Sequence, residues 1–238
     1  MELGQIVHDF AAGMEAADRR RPQAASSSTA GRFYQPGIGP FREAEAVART
    51  LDELRIIRGG VYPHAGKRRY PASRYECDLA LGELPDWAVE VKMARLRRDN
   101  GGYEDTTTKK ILSPYPDDRS AVTDCRKLAS SGFGERRAVL IYGFEDPARP
   151  IMWLIEAFEL IAARTVTLGP RETAPLKDLV RSVFTAGHVW GWEVLDSRSD
   201  SNAHAHQANS GPASIRVRQA APLGNFPPPG IFPASGTA

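Results

Sequence analysis

Between residues 87 and 94 the chain alternates strictly. Trp87, Val89, Val91 and Met93 are interleaved with Ala88, Glu90, Lys92 and Ala94. A period of two is the mark of a strand and sends the two sets to opposite faces. The spacing therefore predicts a strand over Trp87–Ala94. Its apolar set faces the core, and Glu90 and Lys92 share the other face between two small alanines. A second strand is predicted over Tyr75–Leu81, with Tyr75, Cys77, Leu79 and Leu81 inward and Asp78 on the opposite set with Glu76 and Ala80. Gly82, Pro85 and Asp86 form the turn between them. Ala138–Phe144, AVLIYGF, is a nearly continuous apolar run, as expected of a buried central strand. Val189–Leu195 is the candidate last strand.

Helical spacing appears elsewhere. Leu3, Ile6, Val7, Phe10, Ala11 and Met14 mark a short amphipathic helix, free to pack on the domain or on a partner. Phe41–Leu54 follows the breakers PGIGP and carries one stripe of Phe41, Ala44, Val47, Ala48, Leu51 and Leu54. Arg119–Ser130 and Ile151–Ala163 are two further helices, and residues 95–118 read as a long polar loop. The order helix, strand, strand, helix, strand, helix, strand implies an α/β sandwich around a mixed sheet. There are no internal repeats. Residues 1–30 read as a helix and an Arg- and Ser-rich linker, 31–196 as the folded domain, and 197–238 as a disordered tail. That tail is rich in Ser, Ala, Asn, Pro and Gly and has too little apolar surface to offset its ordering entropy. Its NFPPPGIF segment suits a small docking motif less well than a passive tail.

Composition narrows the class. The chain has 238 residues and a formal net charge of +2, so any nucleic-acid binding must come from local patches. Cys77 and Cys125 are not in metal spacing and read as reduced, buried thiols. No apolar run approaches the roughly 18 residues of a membrane span, and the first residues lack the pattern of a signal peptide. A soluble, cytoplasmic protein is the expectation. There is no phosphate-cradling Gly-rich loop, which argues against ATP-driven action by this chain.

Folding the two strands as a hairpin brings Asp78 beside Glu90 and Lys92. Two carboxylates and one ammonium form a reagent set for phosphodiester hydrolysis. Mg²⁺ prefers a few carboxylates with water and phosphate oxygens. Asp78, Glu90 and the backbone carbonyl of Val91 are the candidate metal ligands. Lys92 is placed to orient a water and to stabilise developing negative charge. The opposing reading is an ordinary exposed pair on a strand, worth little energetically. A Glu-x-Lys triplet arises about once by chance in a chain of this composition, so the triplet matters only with its strand context and the upstream Asp78.

Asp78 followed by Glu90-Val91-Lys92 resembles the PD-(D/E)xK nuclease superfamily. DRSAVTDCRKLASSGFGERRAVLIYGFED also resembles the helix and strand that follow the motif in uncharacterised bacterial members. The resemblance covers about Gly31 to Asp196 and departs in having Cys77 where the motif has Pro. It implies a restriction-endonuclease-like three-layer sandwich and a Mg²⁺-dependent nuclease acting on DNA, in restriction, phage defence or repair. It also implies a catalytic Glu on the first core helix, with Glu43 preferred over Glu45. A homodimer and a separately encoded methyltransferase or helicase partner are compatible with it. The alternative is a catalytically silent nuclease-fold module for nucleic-acid binding or assembly.

On the helix from Arg119, the polar set Ser120, Asp124, Lys127 and Ser131 could face the site, with Lys127 on a phosphate and Asp124 orienting it. The basic candidates for nucleic-acid binding are Lys67, Arg68 and Arg69 before the first strand, and Arg95 and Arg97 after the second, with Lys127. Tyr103 and Tyr115 could stack on bases. The opposing reading for each is a solvated surface group.

Overall fold

The structure is a computed structural model, and it describes residues 1–26, 31–71, 73–81, 86–98, 101–180 and 183–195. The expectations for Gly82 and Pro85 of the turn, for the linker at 27–30 and for the tail at 197–238 fall outside these residues.

Five helices and seven strands are present among the described residues: α1 Leu3–Arg19, α2 Glu43–Ile57, β1 Gly66–Arg69, β2 Glu76–Leu81, β3 Trp87–Ala94, α3 Thr106–Leu112, α4 Ala121–Ala129, β4 Arg136–Phe144, α5 Met152–Ala162, β5 Thr167–Leu168, β6 Glu172–Leu176 and β7 Gly187–Leu195. The strands form one mixed sheet in the order β1-β2-β3-β4-β7, with β5 and β6 both on the outer edge of β7. Only the β3–β4 pairing is parallel.

Each face of the sheet is covered. On one face α1 and α2 pack over Trp87, Val89, Val91 and Met93 of β3 and over Leu140 and Tyr142 of β4. On the other, α3, α4 and α5 pack over Ala88, Ala94, Val139 and Ile141. This is a three-layer α/β sandwich. Every residue of β3 is buried, as for a strand with a helix on each side.

α1 packs on the domain. Its Ile6, Val7, Phe10 and Met14 are buried in the same core as α2 and the sheet. Asp18 at its end accepts the backbone N–H of Ile38 at 2.7 Å and of Val180 at 2.5 Å, joining three distant segments. The folded unit therefore includes α1 rather than starting at residue 31. Residues 95–118 are not all loop. α3 lies within them, anchored by fully buried Ile111 and by the Thr107 hydroxyl donating to the Arg95 carbonyl. Among the described residues no helix is long and apolar enough to cross a membrane.

Strict alternation fails in β2. Gly66 pairs with Ala80 but Arg68 pairs with Cys77, so Asp78 and Leu79 stand against the single residue Lys67. That extra residue is a β-bulge, which bends a strand and re-aims its side chains. Cys77 consequently lies in the core under α4 and α5, and Leu79 and Leu81 in the core under α1 and α2. Tyr75, expected to point inward, is 54% exposed and precedes the strand.

Candidate active site at the open edge of β3

β2 and β3 pair only at Leu79↔Val89, Ala80↔Ala88 and Leu81↔Trp87. Beyond Val89 the two strands part, and the edge of β3 facing β2 has no backbone partner from a strand among the described residues. A residue whose N–H faces one neighbour in an antiparallel pair also turns its C=O there. Val91 and Met93, two and four residues beyond Val89, therefore turn their N–H and C=O into the gap. Carboxylates take the place of the missing strand. Asp78 accepts the Val91 N–H at 2.9 Å, and Glu43 accepts the Met93 N–H at 2.7 Å. The bulge explains how Asp78 comes to point along the sheet toward β3 instead of away from it.

Glu43 reaches the gap from the first turn of α2, where a carboxylate also complements the helix dipole. Glu45 is exposed on the same turn. The geometry thus separates the two glutamates that the sequence left as alternatives.

Glu90 and Lys92 turn toward α4. The Lys92 ammonium lies 2.6 Å from Asp124 Oδ2, 3.8 Å from Glu43 Oε1 and 3.5 Å from the Val91 carbonyl. Burial works to lower its pKa, but Asp124 and Glu43 more than offset this, so Lys92 stays charged. Glu90 Oε1 accepts the Tyr70 hydroxyl at 2.5 Å and lies 2.7 Å from the Lys127 ammonium. Lys127 also lies 2.9 Å from Asp124 Oδ1. Asp124 therefore bridges the two lysines, one through each oxygen. Burial, then the charges of Asp124 and Asp78, raise Glu90 well above the usual carboxylate range. Burial likewise raises Glu43, against the pull of Lys92.

Asp124 and Lys127 are presented by α4, a helix stabilised at its start by a capping box of Ser120 and Thr123. Ser120 is thus a cap and no part of the site. Ser131 serves the helix end, its hydroxyl donating to the Leu128 carbonyl at 2.7 Å. Of the four polar positions considered on this helix, two reach the site. Tyr70 was not anticipated. It follows β1, packs on Phe133 at 4.9 Å between ring centroids, and reaches Glu90 because β1 pairs alongside β2. No local pattern around KRRY carries that information.

The basic candidates divide. Arg95 donates to the Gly39 carbonyl at 2.9 Å and neighbours Glu104, and Arg97 forms two bonds to Asp146, each of 3.1 Å. Arg68 pairs with Glu135 and lies over the Phe133 ring. These three are each tied to a protein group. Lys67 and Arg69 are exposed on β1 and have no ion partner among the described residues. Tyr115 is exposed, and the Tyr103 ring is flanked by Arg97 and Arg149.

Carboxylate oxygens are the ligand type that Mg²⁺ prefers. Asp78, Glu90, Glu43 and Asp124 supply four carboxylates around Lys92 and Lys127, an excess of two negative charges when all are ionised. A divalent cation balances that excess. The Val91 carbonyl on the open edge adds a neutral oxygen. Among the described residues no group of three or more His, Cys, Asp or Glu side chains is placed to hold a metal ion by itself. Mg²⁺ usually needs only one or two carboxylates, with water and substrate oxygens completing the shell. Comparison with family models, with curated proteins and with solved structures finds no match.

Proposed function

We propose that the chain is a Mg²⁺-dependent nuclease hydrolysing phosphodiester bonds in DNA, with a restriction-endonuclease-like fold. One observation carries the reading. Asp78 and Glu43, from two other elements, take up the Val91 and Met93 N–H groups where β3 loses its neighbour, with Lys92 between Glu43 and Asp124 and Glu90 held by Tyr70 and Lys127. An ordinary exposed Glu-x-Lys pair needs no such convergence, and Lys92 is 8% exposed and Glu90 3%.

In this reading Asp78, Glu90 and the Val91 carbonyl hold the cation. When bound, Mg²⁺ lowers the pKa of a coordinated water and offsets charge on the phosphate. The chain supplies the rest. Asp124 and Glu43 fix the Lys92 ammonium beside the Val91 carbonyl, charged and aimed at the open edge. From there Lys92 orients the attacking water and stabilises charge that develops on the phosphoryl oxygens. Asp78 keeps the gap between β2 and β3 at a set width through its bond to Val91. Lys67 and Arg69 on β1 are the candidates for contacts to the DNA backbone, which position rather than specify. Restriction, phage defence or repair is the setting such an activity suits.

The test is cleavage of plasmid and single-stranded DNA by the purified protein with Mg²⁺, with EDTA, and by Lys92→Ala. Metal-dependent cleavage by the wild type, lost in the variant, is expected. Cleavage that persists in Lys92→Ala would place the active site elsewhere. A folded wild type that binds DNA without cutting it would favour the catalytically silent module.

A further inference from the structure

The two lysines of the site are held differently. Lys92 is nearly enclosed, its side chain 10% exposed, and its ammonium has Asp124 on one side and Glu43 on the other. Lys127 is 38% exposed, yet its ammonium spans Glu90 Oε1 and Asp124 Oδ1 at 2.7 and 2.9 Å. Those are contact distances for a cation bound by two carboxylates, and one of the two is a proposed metal ligand. Lys127 thus occupies a Glu90 oxygen that a divalent ion would use, and of the two lysines it is the more exposed.

Resting on the nuclease reading, we infer that Lys127 is a resident counter-cation that a divalent metal displaces when it loads. A metal ion on Glu90 and the Lys127 ammonium cannot share Glu90 Oε1 without close repulsion between like charges. Withdrawal of Lys127 removes that conflict. Lys92 remains on Asp124 Oδ2 throughout, so the site never exposes that carboxylate without a counter-charge. Metal loading and the release of Lys127 toward incoming phosphate become one event. A lysine that simply contacts DNA would not need to bridge two buried acids.

The test needs no substrate. Mn²⁺ and Mg²⁺ binding is measured by calorimetry on the full chain as wild type, Lys127→Met and Lys127→Gln, with circular dichroism to confirm that each is folded. Both variants are expected to bind the cation at least about tenfold more tightly, because the competing charge is gone. A second readout uses the wild type alone: reactivity of individual lysines toward an amine-acylating reagent, with and without Mg²⁺. Mg²⁺ is expected to raise labelling of Lys127 and to leave Lys92 protected. Cation binding by the wild type with no gain in either variant, or with no rise in Lys127 labelling, overturns the displacement and leaves the nuclease reading standing. No cation binding by wild type or variants overturns both.

Discussion

β3 has two edges, and its neighbours treat them differently. On one, β4 runs parallel to it without interruption from Trp87↔Arg136 to Ala94↔Gly143, and β4 is laddered in turn to β7 from Ala138↔Glu193 to Phe144↔Gly187. On the other, β2 follows for three pairs and then leaves. The first edge spends every backbone group on the sheet. The second offers Val91 and Met93 to carboxylates that carry charge into a nearly dry place. One strand is thereby both the rigid reference and the reactive border. Precision at the border comes from the fully paired edge, since a site is held best by elements whose own positions are over-determined.

That contrast can be broken from either side. The largest effect is expected at the open edge. Lys92→Ala should lower DNA cleavage by about a thousandfold or more, equivalent to about 4 kcal/mol of transition-state stabilisation, in steady-state assays at saturating Mg²⁺. At the paired edge, Leu140→Ala should cost about 3–4 kcal/mol in urea unfolding, because Leu140 is fully buried and its neighbours cannot collapse into the hole. It should spare the chemistry of the protein that remains folded. An intermediate effect comes from the metal. Mg²⁺ at about a hundred times its dissociation constant should stabilise the wild type by about 2.7 kcal/mol. Asp78→Asn should lose that increment while its metal-free stability changes little, as thermal melts with and without EDTA would show.

The smallest effect lies away from both edges, at Asp146. Arg97 holds this carboxyl below its ordinary pKa, against the opposing effect of burial. A lowered folded-state value stabilises the protein above the unfolded carboxylate pKa and loses that contribution as pH falls through the folded one. Asp146→Asn should therefore lower the urea midpoint at pH 7, with the gap to wild type closing in strongly acidic buffer. A gap that stays constant with pH would mean that Arg97 contributes nothing through charge.

The paired edge was the easier part to read. AVLIYGF and the alternation of 87–94 each state their role in a short window, because burial on two faces or one leaves a local pattern. So does the stripe of α1. That of α2 holds at Val47, Leu51 and Leu54, whereas Ala44 and Ala48 are exposed and Ala46 and Thr50 are buried instead. β1 and β6 leave no such pattern: GKRR and ETAPL have no apolar period, and they become strands because an existing edge offers them backbone partners. α3 hides in TTTKKIL, whose threonines are weak helix formers and whose one deeply buried apolar side chain is Ile111. The site was partly legible. Asp78, Glu90 and Lys92 follow from spacing, but the reason Asp78 meets Val91 is a bulge set by pairing with β1. Asp124 was visible as a polar position on a helix, though not as the bridge between two lysines, and Tyr70 was silent. The partners of the basic clusters were not legible, because a row of Arg looks alike whether it is free or, like Arg97, holds Asp146.

α1 has a consequence in time. Its Glu15 and Asp18 bond to Lys177 and Val180, each 162 residues further along the chain. During synthesis α2 can cover part of its apolar stripe early, but the part that packs on β6 and β7 must stay bare until those strands have been made. At about 5–20 residues per second that interval lasts on the order of ten to thirty seconds. The face that ends as the dry floor of the domain spends that time as the stickiest part of the nascent chain, and is where a chaperone would find its grip.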